Sequence, residues 1–451
     1  MEVTTPRLVI SAPKKSSGKT TITLGLARAL HNRGLAIAPF KKGPDYIDPI
    51  WQTMAAGQQS HNLDHHMMGE EMIKASFGLH SDGSDLALIE GNHGLHDGLD
   101  AATSTAGLAL ILKSPVILVV DAEGLNRSIA AQVLGQQAME PDLPIAGVIL
   151  NRVRSARQAE KLKASLKEFT TIPLLGCIPA SEELKIPERH MGLTTAHESE
   201  FAEEIIQKMA EIIEENLDLD LLISLGQQAA ALECSDLEYP VGNVRIKLGV
   251  FYDSAFCFYY PENLDALECA GAELRYINSM VDSSLPEVDA LYIGGGFPES
   301  FLANFNPQLM SEVKAKGEAG LPIYAECGGM IYLSQSASWE GAVTNLVGLL
   351  PATVEFSKKP VGYGYMELVT TESKAWAKAG DSFKAHEFHY SKLVGQKGLE
   401  YIYDVKRGFG LGEQKDGVLM QNITASYGHL HALSSPNWAI DFTHWVASLK
   451  G

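Results

Sequence analysis

Short apolar runs alternate with amphipathic helical stretches from the start of the chain. Leu8–Ser11, Leu86–Glu90, Val116–Asp121 and Ile145–Asn151 are almost uninterruptedly hydrophobic and rich in Val, Ile and Leu. Such runs predict strands buried on both faces of a parallel sheet, where alternation with polar residues is lost. The stretches between them, such as Thr20–Asn32, have the pattern of crossover helices. The expected architecture is therefore a doubly wound α/β sheet. No repeat with a period of roughly 20–50 residues is present, which excludes a solenoid.

The pattern changes near residue 198. Residues 198–243 read as an acidic helical segment that ends in a linker at Glu238-Tyr-Pro-Val-Gly-Asn. A second α/β pattern then begins, with apolar runs at Arg245–Phe251, Ala290–Gly296 and Pro322–Gly329. The segment from Glu355 to Phe388 has Gly/Tyr-rich β-type pieces, as in an antiparallel addition to that sheet. The expected division is 1–197, 198–243 and 244–451.

Composition narrows the function classes. A length of 451 residues with 45% hydrophobic content suits an ordinary globular chain too long for one core. No apolar run approaches the roughly 18 residues of a membrane span, and residues 1–10 lack the features of a signal peptide. The expectation is a cytoplasmic protein without a membrane partner. A net charge of −19 disfavours nucleic acid as a partner and would repel an anionic substrate at long range. Any acidic substrate must then meet a locally basic pocket. The five scattered cysteines include no CxxC pair, which argues against a disulfide framework and a structural zinc site.

The first candidate site follows the strand Leu8–Ser11. Lys14, Lys15, Ser16, Ser17, Gly18, Lys19, Thr20 and Thr21 form a small-residue loop that runs into a helix. Strand, loop, Gly-Lys-Thr and helix together cradle a polyphosphate. Backbone N–H groups face the anion, Lys19 neutralises it, and the Thr20 hydroxyl can ligate Mg²⁺. Ala12 and Pro13 occupy the region of the first glycine of the usual motif. Lys14 stands where deviant P-loops of the partitioning-ATPase type carry an extra lysine. Glu90 and Asp121 close apolar strands, where α/β proteins place ligands, and Asp45 and Asp48 lie on a nearby loop. Thr20, Asp48 and Glu90 are the expected magnesium set. His61, His65, His66, His93 and His96 are dense here but lack helical H-x-x-x-H spacing. They are read as polar neighbours of Lys41 and Lys42 rather than as metal ligands.

The second candidate site is Cys327, which ends an apolar strand and precedes two glycines and a helical pattern. A tight strand-to-helix turn exposes such a thiol and aims helix N–H groups at it, which should lower its pKa. His429 and His431 share one face of an extended segment, and one of them is the expected general base. The bare amides of Gly295 and Gly296 are the expected oxyanion donors.

With these residues assembled, the chain resembles the cobyrinic acid a,c-diamide synthase family nearly end to end. The resemblance rests on Gly18-Lys-Thr, Pro39-Phe-Lys, Gly43-Pro-Asp-Tyr-Ile-Asp-Pro, Asn62-Leu-Asp, Glu90-Gly, Asp97-Gly and Pro187-Glu-Arg-His-Met-Gly-Leu. It continues through Ala255-Phe-Cys-Phe-Tyr-Tyr-Pro-Glu-Asn, Gly294-Gly-Gly-Phe-Pro-Glu, Ala325-Glu-Cys-Gly-Gly and His386-Glu-Phe-His-Tyr-Ser. It implies a dethiobiotin-synthetase-like P-loop domain joined to a class I glutamine amidotransferase domain, with ATP, Mg²⁺ and glutamine as requirements. It implies that Cys327 attacks the glutamine side-chain amide and releases ammonia, which converts an ATP-activated carboxylate of a tetrapyrrole into an amide. It makes His429 the base and leaves His431 where many class I enzymes carry a glutamate. It assigns acceptor binding to Lys41, Lys42, Asp45, Tyr46, Asn62, Asp64 and Asp97, and by analogy implies a homodimer.

Departures from the family pattern cluster on the ATP and acceptor side. They are Pro13-Lys-Lys-Ser-Ser in the P-loop, Lys42 in place of a common Val, and Asn92-His-Gly-Leu-His96. These resemble the branch, found in sulfur-oxidising bacteria, that amidates sirohaem. The expected acceptor is accordingly of the sirohaem or sirohydrochlorin type, ahead of cobyrinate. A P-loop switch ATPase is the rival class, but a regulatory ATPase has no use for a cysteine elbow.

Overall fold

The computed structural model describes residues 1–181, 184, 186, 188–189, 192–199, 201–395 and 398–450. Pro187, His190 and Met191 of the Pro187–Leu193 motif lie outside the described residues. The chain divides into two compact units, Met1–Leu237 and Glu238–Gly451.

The first unit is built on a seven-stranded sheet. Its order is His61–Leu63, Ile37–Lys42, Leu86–Glu90, Arg7–Ser11, Val116–Asp121, Ile145–Val153 and Leu174–Pro179. Every neighbouring pair is parallel. All five residues of Leu86–Glu90 and of Arg7–Ser11 are buried, as a sheet covered on both faces requires. Helix Lys19–Asn32 packs Ile22, Leu26 and Leu30 into this core beside Ile206, Met209 and Ile213 of helix Ala202–Asn216. The two helices approach closely at Gly25, where a Cβ would lie 2.6 Å from Ile213 Cγ1. Arg33 adds an ion pair to Glu214 of that helix (2.6 Å) and another to Asp220 of the following helix, Leu219–Gly226 (2.9 Å). The acidic helix that follows residue 198 thus packs as a layer of the first unit.

The second unit centres on a ten-stranded mixed sheet. Ala272–Ile277, Ile246–Phe251, Ala290–Ile293, Ile323–Glu326 and Ile423–Ser426 are parallel neighbours in that order. The sheet continues antiparallel through Lys415–Met420, Glu400–Arg407, Gly362–Thr370, Ser382–His389 and His429–Leu430. The Gly/Tyr-rich stretch read as an antiparallel addition supplies two of these strands. No helix among the described residues is long and apolar enough to cross a membrane.

Candidate active sites

The phosphate loop lies at the carboxyl end of strand Arg7–Ser11, in the middle of its sheet. Gly18 caps helix Lys19–Asn32 in the left-handed region, with φ 91°. A Cβ there would sit 2.1 Å from Asn151 Nδ2, which itself donates to Ser17 O (2.9 Å). Only glycine fits such a close approach. Ser17 Oγ donates to Lys14 O (3.0 Å), which closes the loop on itself, and Thr21 Oγ1 faces Leu184 O at 3.4 Å. Lys14 is largely exposed and Lys15 is exposed, while Lys19 is buried. The Lys19 ammonium donates to His93 O, and burial pulls its pKa down to about 8.

Three oxygen donors converge beside that loop. Thr20 Oγ1 lies 2.6 Å from Glu90 Oε1 and 3.4 Å from Asp48 Oδ2. Lys41 Nζ donates to both carboxylates, at 2.9 Å to Glu90. Gln52 Nε2 donates to the other Glu90 oxygen at 2.7 Å. Burial raises the pKa of Glu90 and would lower that of Lys41. The two carboxylates reverse the effect on Lys41 and hold it above its ordinary value. Hydroxyl and carboxylate oxygens are the donors a hard divalent cation takes, and the Lys41 ammonium already balances their charge. The set therefore fits magnesium. Asp121 points to other partners, Arg152 (2.9 Å) and Lys14 (3.9 Å).

Several of the expected acceptor residues organise backbone. Asp45 Oδ1 accepts from Ile47 N (2.9 Å) and Asp48 N (3.0 Å), at the start of helix Ile47–Ala56. Burial, then the charge of Asp48, raises its pKa. Asn62 Nδ2 donates to Gly43 O and Asp45 O, Asp64 caps the next helix through Met67 N, and Asp97 accepts from Gly94 N. Tyr46 and Lys42 are buried, and burial lowers the Lys42 pKa. Among the histidines, His61 stacks on His80 with ring centroids 3.5 Å apart, and His96 Nε2 meets Gln136 O at 3.0 Å.

The second centre is the elbow at Cys327. Its φ of 45° and ψ of −99° place it in a strained conformation between strand Ile323–Glu326 and helix Gly328–Leu333. Strain of this kind costs about 1–3 kcal/mol and persists only where the surroundings enforce it. Here Cys327 N donates to Ser426 O (2.7 Å) and Gly329 N to Gly294 O (3.0 Å). A Cβ on Gly329 would sit 2.1 Å from Ile293 O, and one on Gly328 would sit 3.1 Å from Gly296 N. The glycine strand end thus lies directly against the elbow. The elbow does not lower the thiol pKa as its helix N–H groups alone would. Burial, then the charge of Glu299, pushes the Cys327 thiol above its ordinary pKa, although the Gly328 N–H opposes this. The turn leaves the cysteine buried, so desolvation of a thiolate outweighs the helix N–H group.

The two histidines occupy different surroundings. A Cβ on Gly295 would lie 2.5 Å from His429 Cε1 and 3.4 Å from its Nε2, so His429 sits over the glycine loop. Its Nδ1 faces Glu326 Oε2 at 3.5 Å. His431 Nδ1 instead accepts from Leu433 N (3.1 Å), and its Nε2 faces buried Glu262 at 3.7 Å. His386 stacks on His429 with ring centroids 5.0 Å apart, and burial holds its pKa well below the ordinary value.

Sequence reasoning missed Asn151, Gln52, Glu299 and Glu326. Glu326 adjoins the nucleophile and has period-2 spacing from Tyr324, a signal that could have placed both on one sheet face. Asn151 and Gln52 carried no comparable signal, because their partners lie far away in sequence.

Residues 8–193 match the model of the CobQ/CobB/MinD/ParA nucleotide binding domain, and residues 247–437 that of the CobB/CobQ-like glutamine amidotransferase domain. A cobyrinate a,c-diamide synthase of Magnetococcus marinus is 44% identical over 96% of both chains. One from Archaeoglobus fulgidus is 39% identical over 97% of this chain and 96% of its own. A third, from Methanobrevibacter smithii, is 37% identical over 96% and 97%. At that identity over almost the whole length, and with a phosphate loop in one half and a cysteine elbow in the other, the chain belongs to the cobyrinate a,c-diamide synthase family, as a ligase that draws ammonia from glutamine and uses ATP with Mg²⁺.

Proposed function

We propose that this protein amidates the a and c acetate carboxylates of a tetrapyrrole polycarboxylic acid, with cobyrinate as the acceptor. The full-length similarity to chains named for that substrate carries the reading.

The chemistry divides between the two centres. The Cys327 thiol passes its proton to His429 Nε2, and the thiolate attacks the side-chain carbonyl carbon of glutamine. Charge develops on the carbonyl oxygen, to which the Gly295 and Gly296 N–H groups would donate. The C–N bond breaks as the imidazolium returns the proton to departing ammonia, and water then hydrolyses the thioester to glutamate. In the first unit, the loop from Lys14 to Thr21 holds ATP, with Lys19 against its phosphates. Thr20, Asp48 and Glu90 would hold Mg²⁺, which supplies charge neutralisation to the phosphates when bound. Transfer of the terminal phosphoryl group to an acceptor carboxylate makes an acyl phosphate. Ammonia displaces phosphate from it to give the amide. Lys41, Lys42 and Tyr46 would lie on the acceptor side, where Asp45, Asn62, Asp64 and Asp97 act by holding the backbone in place. Support for His429 as the base comes from its place over Gly295, whereas both nitrogens of His431 face other groups.

A specific observation favours a second acceptor, of the sirohaem or sirohydrochlorin type. His93, with φ 53°, lies in the field of Lys15, Lys42 and Lys19, whose charges after burial lower its pKa; the surroundings are cationic, as an anionic acceptor requires, while the imidazole itself is held towards its neutral form. Lys42 and His93 are two of the departures from the family pattern, and together they add protonatable groups beside the phosphate loop.

Incubation with ATP, Mg²⁺, glutamine and, separately, cobyrinic acid, sirohaem and sirohydrochlorin tests both readings by product mass. Each conversion replaces OH by NH₂. Amidation of cobyrinic acid alone supports the first reading, and amidation of a sirohaem-type ring alone supports the second. Glutamine hydrolysis with no change in any macrocycle would refute the tetrapyrrole assignment.

A further inference from the structure

The class pattern places a glutamate two residues after the catalytic histidine, and here that position is His431. A neutral imidazole that must accept a thiol proton at Nε2 needs its Nδ1–H directed to an acceptor, or the wrong tautomer competes. The carboxylate next to His429 belongs to the residue just before the nucleophile.

Glu326 is 1% exposed and ends the strand that delivers Cys327. Strand alternation puts it on the same face as Tyr324, and sheet register sets Tyr292 beside Tyr324. Tyr324 OH donates to Glu326 Oε1 (2.6 Å) and Tyr292 OH to Oε2 (3.1 Å). Leu430 N, the residue after His429, also donates to Oε1 (3.1 Å). Burial, then the Glu326 charge, holds both phenols well above their ordinary pKa, so they serve as donors. A buried carboxylate is expensive unless its oxygens are satisfied, and these three donors leave one side of Oε2 facing His429 Nδ1 at 3.5 Å. Cε1 and Nε2 of the same ring face Gly295. Other titratable groups around this arrangement include His386, stacked on His429, Tyr259 and Tyr403, which feel the Glu326 charge, and Glu299, Asp416 and Tyr427, which interact with Cys327.

We propose that Glu326 is the positioning carboxylate of the glutaminase centre, supplied by the strand before the nucleophile rather than by the residue two after the histidine. The inference rests on the assignment of Cys327 and His429 as nucleophile and base. Glu326 holds Nδ1–H, leaves Nε2 as the acceptor for the thiol proton, and steadies the imidazolium once that proton has moved. It does not itself take the proton.

Glu326→Gln keeps the shape and an oxygen for Tyr324 and Leu430 but can present an amide N–H₂ to Nδ1, which selects the opposite tautomer. In the full-length enzyme, glutamate release from L-glutamine should fall in kcat by ~10²–10⁴, in line with about 10⁴ for carboxylate-to-amide exchange in a serine-protease triad. KM should stay within about threefold, because the residue acts on the chemical step and not on substrate binding. Alkylation of Cys327 by iodoacetamide, followed by mass spectrometry of its peptide, should need a higher pH than in the wild type. In a His429→Ala background the same substitution should cost nothing further, since the carboxylate acts through the imidazole. Glu326→Asp keeps the charge and covers the case in which the amide variant fails to fold; it should retain part of kcat and shift alkylation less. Wild-type turnover and alkylation in Glu326→Gln, or an equal loss with and without His429, would overturn the inference. If Cys327→Ala still releases glutamate, the underlying assignment fails instead.

Discussion

Lys41 Nζ lies 2.9 Å from Glu90 Oε1 in the buried interior of the first unit and donates to Asp48 as well. One ammonium is thereby shared between two carboxylates that together with Thr20 form the expected magnesium set. Removing one partner of a buried ion pair typically costs about 3–5 kcal/mol, because the remaining charge stays desolvated. Lys41→Met should destabilise the magnesium-free protein by that order, read as a lowered urea midpoint of the first transition. Added Mg²⁺ should restore part of the loss in this variant and little in the wild type. An unchanged midpoint without magnesium would mean that the two carboxylates do not share a charge balanced by Lys41.

Lys19 gives a pH dependence with a defined sign. In the ATP-free protein burial lowers its pKa to about 8, so the ammonium is lost as pH rises through that value. Bound phosphates favour the charged form, and ATP binding above pH ~8 must then take up a proton. Affinity should be flat below about pH 7 and fall towards tenfold per pH unit well above 8. Titration calorimetry in buffers of different ionisation enthalpy would show the uptake directly. Lys19→Arg keeps its charge throughout and should flatten the profile, whatever it does to turnover.

The two centres should fail separately. Cys327→Ser should abolish use of glutamine yet leave amidation supported by ammonium chloride near wild-type rates. Lys19→Ala should abolish amidation with either nitrogen source. Loss of both activities in the cysteine variant would show that the roles of the two units are wrongly divided. His429→Asn should reduce glutamate release by at least ~10², and His431→Asn by much less. The reverse ranking would move the role of base to His431.

Parts of this arrangement were legible in the sequence because they are local. The Gly18-Lys-Thr turn, the Cys327 elbow and the glycine strand end each occupy a few consecutive residues, with a fixed backbone consequence. The long apolar strands were readable for the same reason, since burial on both faces leaves an unbroken hydrophobic run. What pairs with what across the sheet was not legible. Glu326 meets His429 only because strands Ile323–Glu326 and Ile423–Ser426 are neighbours, a register set by tertiary packing. The thiol pKa was misjudged because burial of Cys327 depends on residues distant in sequence, such as Leu411 and Tyr427 of the same core. Helix Ala202–Asn216 read as acidic and separate, yet its acidic side answers Arg28 and Arg33 of the first helix.

Gly295 tests the geometry of the glutaminase centre without altering any side chain that reacts. A Cβ there would lie 2.5 Å from His429 Cε1, well inside van der Waals contact. Glu326 and His386 lie against the ring, so it can move only by giving up those contacts. Gly295→Ala should therefore displace the imidazole away from the glycine loop. A misplacement on the order of 1 Å at a reacting centre costs about 10² in rate. Glutamate release should fall by roughly that factor, while amidation from ammonium chloride and ATP binding at Lys19 remain as in the wild type. The Cys327 thiol should also need a higher pH for alkylation, since its proton acceptor has moved. Undiminished glutamine hydrolysis in Gly295→Ala would place His429 elsewhere during turnover, and the base would have to be sought among its neighbours.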